Sequence, residues 1–249
     1  MKIHTLFFSL LIFIGCQKTK PTDAAPPTTA EIIEPQETLE VSADDKIIKT
    51  DTVAIFTGET ESSTDFILAH LVDQQADKDS IVTVKYRLDF YQNKTKTASS
   101  KVAIKSFQKG SEWTASYGLT SETSKNSPFV QITFGYPACG YAHDNYLYYL
   151  KNSGLQLVHQ WSSMSDSGWG SWVEIVNPST QSEPKSFYCK TVAFTPADED
   201  ENMDMGILQH SDSISFELKD NKWKKMLLSA KDKPYFEKKM TFDQFNASE

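Results

Sequence analysis

Asp198, Asp200, Asn202 and Asp204 place oxygen-bearing side chains at every second position of a single acidic run. Alternating oxygens are how calcium loops deliver ligands to a hard cation. A full EF-hand loop also wants glycine at its sixth position and a bidentate glutamate at its twelfth. Counting from Asp198, those places hold Met203 and Gln209. The four residues form a partial Ca2+ ligand set, and a solvated acidic loop accounts for the same pattern.

A second constellation runs from Trp161 to Trp172, where Ser, Gly and Asp166 surround Trp161, Trp169 and Trp172. Flat aromatic faces beside hydroxyls and a carboxylate suit sugar rings or the centre of a protein contact. Trp169, Trp172 and Asp166 are therefore the candidate ligand-binding residues. The competing reading places Trp161 and Trp172 in the core and uses Trp169 as a loop plug.

Catalytic patterns are sparse. His143-Asp144 and His210-Ser211-Asp212 put acid beside imidazole in sequence, but a triad needs proximity in space rather than in order. No G-x-S-x-G elbow, H-E-x-x-H pair or phosphate-binding P-loop occurs. His159 alternates with Leu157 and Trp161, which marks it as a structural residue. No catalytic residue is assigned. Paired carboxylates for glycoside hydrolysis have many candidates among 33 acidic residues, which is opportunity without a pattern.

The elements that must position these groups are strands. Val82, Val84, Tyr86, Leu88 and Phe90 alternate with polar residues, as a half-buried antiparallel strand does. Asn145–Lys151, then Asn152-Ser153-Gly154, then Leu155–Trp161 reads as a hairpin, and Ser213–Leu218 with Trp223–Leu228 reads as another. Further strands are predicted at Phe129–Phe134, Trp172–Val176 and Phe187–Phe194. Ile104 to Trp113 shares the hairpin form around Gln108-Lys109-Gly110-Ser111. Ser62–Lys78 fits either a helix, with Ser62 and Asp65 at capping-box spacing, or a buried strand. The expected fold class is all-β: an antiparallel sandwich or a β-propeller-like body of short hairpins over 46–249.

Composition narrows the function classes. The chain has 249 residues, a formal charge of −8 and a single arginine, Arg87. Phosphate recognition needs clustered Lys and Arg, so no nucleic-acid partner is expected. Residues 16–45 hold no aromatic residue but are rich in Pro, Thr and acidic groups. Such a segment buries too little apolar surface to offset its ordering entropy, and it reads as a flexible tether.

The first residues carry the most specific motif. Met1-Lys2 precedes an apolar run from Leu6 to Ile14, too short to span a bilayer, which ends in Gly15-Cys16. A small residue directly before a cysteine at the end of such a run resembles the lipobox of bacterial lipoproteins. That resemblance covers residues 1–16. It implies a signal peptide over 1–15, cleavage before Cys16, and diacylglycerol and acyl chains such as palmitate on Cys16. Two or more acyl chains make a membrane attachment stable. Gln17 stands where an aspartate would mark inner-membrane retention, so the resemblance implies the outer membrane of the cell envelope.

With Cys16 lipidated, Cys139 and Cys189 remain. An even pair in an oxidising compartment such as the periplasm is most simply a disulfide, closing a loop of about 51 residues for roughly 4 kcal/mol. The functional expectation is a lipid-anchored, non-catalytic binding or assembly module for an envelope protein or glycan. The alternative is an envelope hydrolase acting on glycan or peptide.

Overall fold

The computed structural model describes residues 46–197 and 204–247, together with the backbone of Ile32–Ile33. Cys16, Asp198, Asp200 and Asn202 lie outside the described residues, as does most of the segment read as a tether.

The protein is all-β. Strands β1 (Ile32–Ile33), β2 (Lys49–Thr57), β3 (Thr60–Ala76), β4 (Val82–Gln92) and β5 (Thr95–Ile104) lead to β6 (Glu112–Tyr117) and β7 (Phe129–Gly135). There follow β8 (Ala142–Lys151), β9 (Gly154–Asp166), β10 (Trp169–Val176), β11 (Ser186–Pro196), β12 (Met205–Lys219), β13 (Lys222–Leu227) and β14 (Phe236–Thr241), then a short helix α1 (Phe242–Asn246). All belong to one 14-stranded sheet in the order β1-β13-β12-β11-β10-β9-β8-β7-β6-β2-β3-β4-β5, with β14 added to β12. Every pairing is antiparallel except β2 with β6. A propeller divides its strands into separate blades. Here one ladder is continuous and folds back on itself in layers around its cores.

Side-chain alternation explains the stacking. On β8, Tyr146, Tyr148 and Leu150 enter a first core with β2–β7, while Leu147 and Tyr149 enter a second core with β7 and β11–β13. On β7, Val130, Ile132 and Phe134 face the first core and Phe129 faces the second. Strands β7 and β8 are thus a middle layer buried on both faces. The sheet wraps over one face through Phe90–Tyr148 and Tyr86–Phe134 contacts at 5.2 and 5.6 Å. It covers the other through Phe129–Trp223 and Phe129–Phe187 at 5.2 and 5.5 Å. Gln156 on β9 donates to the Trp223 carbonyl and accepts from its N–H, at 2.7 and 2.8 Å, so a side-chain amide stands in for a strand neighbour.

Turn chemistry fixes the register. Asn93–Lys94, Asn152–Ser153 and Asp220–Asn221 each place two residues at positive φ, the requirement of a two-residue type I′ hairpin turn. Two of these close the hairpins expected from the sequence, β8–β9 and β12–β13. Ile104 to Trp113 is not a hairpin: β5 pairs with β4, whereas β6 pairs with β7 and, in parallel, with β2. Of Ser62–Lys78, all but the last two residues are strand, within β3, and Asp77 and Lys78 begin the turn that follows. The Asp65 N–H still donates to Ser62 Oγ at 3.0 Å, so the local capping bond forms without a helix. Apolar residues occur at both parities in this segment: Ile67, Ala69 and Leu71 enter the core, while Leu68 and His70 lie on the outer face. Among the described residues, no helix is long and apolar enough to cross a membrane.

Candidate functional site

Read from β9 through β8, β7, β6, β2, β3 and β4 to β5, eight strands surround the first core. β5 comes back to lie against β9. A cleft opens at one end of this wrapped unit, with a volume of about 580 Å3. Its floor is Ile104, Phe107, Phe134 and Leu157, and its rim includes Lys105, Gln108, Gln160 and Ser162. An apolar floor with a few convergent polar groups is the usual chemistry of a binding site at a barrel mouth.

One carboxylate, Asp144 on β8, lines this cleft. It stands opposite Phe134 of β7 and Ser162 of β9, and Ser162 Oγ donates to it at 3.3 Å. Burial pushes the Asp144 carboxyl above the usual carboxylate range, against the smaller pull of Ser162 and of the neighbouring His143. Asp144 therefore favours a ligand that brings a hydrogen-bond donor or a positive charge.

Neighbouring residues hold the rim in shape. His143 Nε2 meets the Tyr136 carbonyl at 3.0 Å, and its ring occupies the space that a β-carbon on Gly135 would need. Gly110, at φ +95°, lets the β5–β6 loop rest on the Tyr136 ring, where a β-carbon would come within 2.9 Å. Sequence reasoning did not single out Asp144 for this site. Its signal is parity: Asp144 shares the phase of Tyr146, Tyr148 and Leu150, so an acid sits on a core-facing row.

The tryptophan residues are packed more than displayed. Trp172 lies 5.9 Å from Phe245, and Trp169 stacks on Phe194 at 4.6 Å beside Phe242, in a third small core. Trp161 packs against the second core. Trp169 nonetheless lines a shallow pocket of about 370 Å3 with Ser167, Asp204, Thr241, Phe242 and Asp243. The structure thus brings Trp169 together with Asp204, the one residue of the predicted calcium set that is described. Asp166 is exposed and accepts from Ser167 Oγ at 3.1 Å. Among the described residues, no group of three or more His, Cys, Asp or Glu is arranged to hold a metal ion.

The expected Cys139–Cys189 disulfide is absent; both are free cysteines. Cys139 is exposed in the β7–β8 connection, whereas Cys189 on β11 points into the second core, where burial pushes its thiol up to about 12. A thiol reagent at pH 8 is expected to modify Cys139 within minutes and Cys189 only after denaturation, as mass spectrometry would record. Protection of both in the folded protein, lifted by reductant, would contradict this placement.

A polar network crosses the outer face of β2–β5. Thr50 Oγ1 bonds His70 Nδ1 at 2.7 Å, and His70 Nε2 lies 3.3 Å from Asp89 Oδ2. Lys96 and Ser99 also bond Asp89, at 2.8 and 2.7 Å. Burial raises the Asp89 carboxyl, but the Lys96 and Ser99 hydrogen bonds outweigh that and hold it below the usual range. His70 is pushed down by burial despite Asp89. Hydroxyl, imidazole and carboxylate are thus aligned, but on a strand face and away from the cleft.

No family model matches the chain, and neither a curated protein nor a solved structure is similar to it.

Proposed function

We propose that the chain is a lipoprotein of the bacterial envelope, anchored at Cys16 to the outer membrane, whose β body is a non-catalytic binding module for an envelope protein. The anchor and location rest on the lipobox resemblance, and residues 17–45 set the reach from the membrane. The observation that carries the binding reading is the cleft at the mouth of the wrapped strands, with its apolar floor and single desolvated acid, Asp144. Hydrolysis of a glycosidic bond ordinarily uses two carboxyl groups flanking the bond. One carboxylate lines this cleft, an arrangement suited to holding a ligand.

Capture from solubilised envelopes tests the reading. Gln160→Arg with Ser162→Arg fills the mouth from positions outside the buried core. The tagged double variant is expected to melt within a few degrees of the wild type and to recover at least tenfold less partner. Equal recovery by a folded variant would overturn the cleft as the binding site.

The pocket at Trp169 favours a second reading, an envelope glycan seated against the part of the indole that Phe194 and Phe242 leave open and hydrogen-bonded by Asp204 and Asp243. Titration with purified envelope polysaccharide fragments should then shift tryptophan emission in the wild type and not in Asp204→Ala. An unchanged spectrum in the wild type removes this reading.

A further inference from the structure

The wrapped unit is not closed by hydrogen bonds. The β9 ladder runs to β8 along Gly154–Met164, and β9 meets β10 only at Met164–Asp166. The β5 ladder runs to β4. Among the described residues no ladder joins β5 to β9, although the two strands lie against one another. A closed barrel has no strand edges; a lateral seam leaves two, and each is a template for another strand.

The cleft lies along this seam. It is lined by Lys101, Val102, Ala103, Ile104 and Lys105 in unbroken succession. Side chains alternate across a strand, so a cavity lying on its face meets every second residue. A cavity that meets every residue in turn lies along the edge, where backbone N–H and C=O groups point. Leu157, Gln160 and Ser162 face it from β9.

We infer that the cleft receives an extended segment of the partner protein as a guest strand added to the free edge of β5, over the inner face of β9, so that the ligand's recognised chemistry is peptide backbone. This deepens the binding reading and rests on it. One strand residue in a packed sheet fills roughly 160 Å3, from a spacing of about 4.8 Å, a layer thickness of about 10 Å and a rise of about 3.3 Å. A cleft of about 580 Å3 therefore holds some three to four residues of guest. Main-chain hydrogen bonds supply affinity in this mode, and alternate side chains supply specificity. Inward guest side chains meet Phe134, Leu157 and Asp144, which selects small apolar residues and one donor such as Ser, Thr or Lys. Lys101 and Lys105 mark the β5 edge with charge, a common guard against indiscriminate strand pairing. A guest with acidic flanking residues suits that edge.

A phage-displayed library of random twelve-residue peptides, panned on the full chain in detergent, provides the probe. Enriched peptides are expected to share a short alternating run without proline and to protect alternate amides within 101–105, those not already bonded to β4, from hydrogen exchange. The best peptide is then synthesised with N-methyl groups on alternate residues, in both parities. A strand paired to β5 alone is expected to lose at least tenfold in affinity for one parity and to keep it for the other. Ala103→Pro, at an exposed edge position, is expected to cause a similar loss with an unchanged melting temperature. Equal binding by the methylated peptides overturns the guest strand while leaving the cleft as a binding site. Binding that Gln160→Arg with Ser162→Arg leaves intact overturns both. Enrichment of no peptide overturns the inference, and the envelope capture then decides the binding reading alone.

Discussion

Phe129→Ala is expected to lower the stability of the β body by about 3–5 kcal/mol. The ring is fully buried and lies 5.2–5.5 Å from Trp223, Tyr149 and Phe187. Its removal leaves a cavity in a layer whose other side is already committed, since the adjacent Val130 is equally buried in the first core. A strand with one solvated face would be costly to cut at alternate residues only; β7 should be costly at consecutive ones. Ile132→Ala, on the opposite face, is therefore expected to cost about 2–5 kcal/mol as well. Urea titration followed by circular dichroism reads both. A loss below about 1 kcal/mol for Phe129→Ala would contradict the two-sided middle layer.

Acidification is expected to destabilise the fold before the ordinary carboxylates titrate. His159 is 9% exposed, stacks on Trp161 at 5.3 Å, and its Nδ1 has no hydrogen-bond partner among the described residues. Burial, aided by the Lys225 charge, pushes its pKa down to about 4. The imidazole is thus neutral when folded and charges readily when unfolded. Because the unfolded state binds the extra proton, stability is intact above the unfolded value near 6.5 and falls as pH drops toward 4. The full loss is about 3 kcal/mol. His70 and His210, both lowered by burial, act in the same direction. Asp144, whose carboxyl is raised, acts against them, so the informative quantity is the difference between variant and wild type. His159→Phe keeps the stacking on Trp161 and Phe216 and removes the titrating group. Its urea midpoint should change markedly less than that of the wild type between pH 7.5 and 4.5. Parallel pH dependences for the two proteins would contradict a neutral, buried His159.

The strands were legible where one periodicity dominates. Residues 145–161 carry alternation on both arms and Asn-Ser at the turn, and they form the β8–β9 hairpin. Ser62–Lys78 was ambiguous because the outer row of β3, Phe66, Leu68, His70 and Val72, is itself largely apolar, which leaves no polar row to reveal period two. The Gln108–Ser111 turn is real, but a turn signal is local and the choice of partner is not. β6 passes over its predecessor to pair with β7 and β2, drawn by a core that a window of ten residues does not contain.

The candidate site was less legible for the same reason. Its walls come from β5 and β9, more than fifty residues apart in sequence. Asp144 was visible only as the neighbour of His143, because its meaning depends on which row of β8 faces the core. Trp169 drew attention through its glycine neighbours, yet Phe242 from the far C-terminus covers Gly168 and Phe194 covers the indole. Cysteine counting carries no information on placement, and Cys139 and Cys189 occupy an exposed turn and a core.

In-cell photocrosslinking reads directly whether the cleft holds an envelope protein. A photoreactive residue at Gln160, in the cleft, would be compared with one at Lys222, at the start of β13 and outside the cleft. One recurring envelope protein is expected to be captured from Gln160 and not from Lys222, with capture lost when Asp144 is replaced by Lys in a chain that still folds. The same products from both positions, or none from the cleft, would contradict a binding module that works through its mouth.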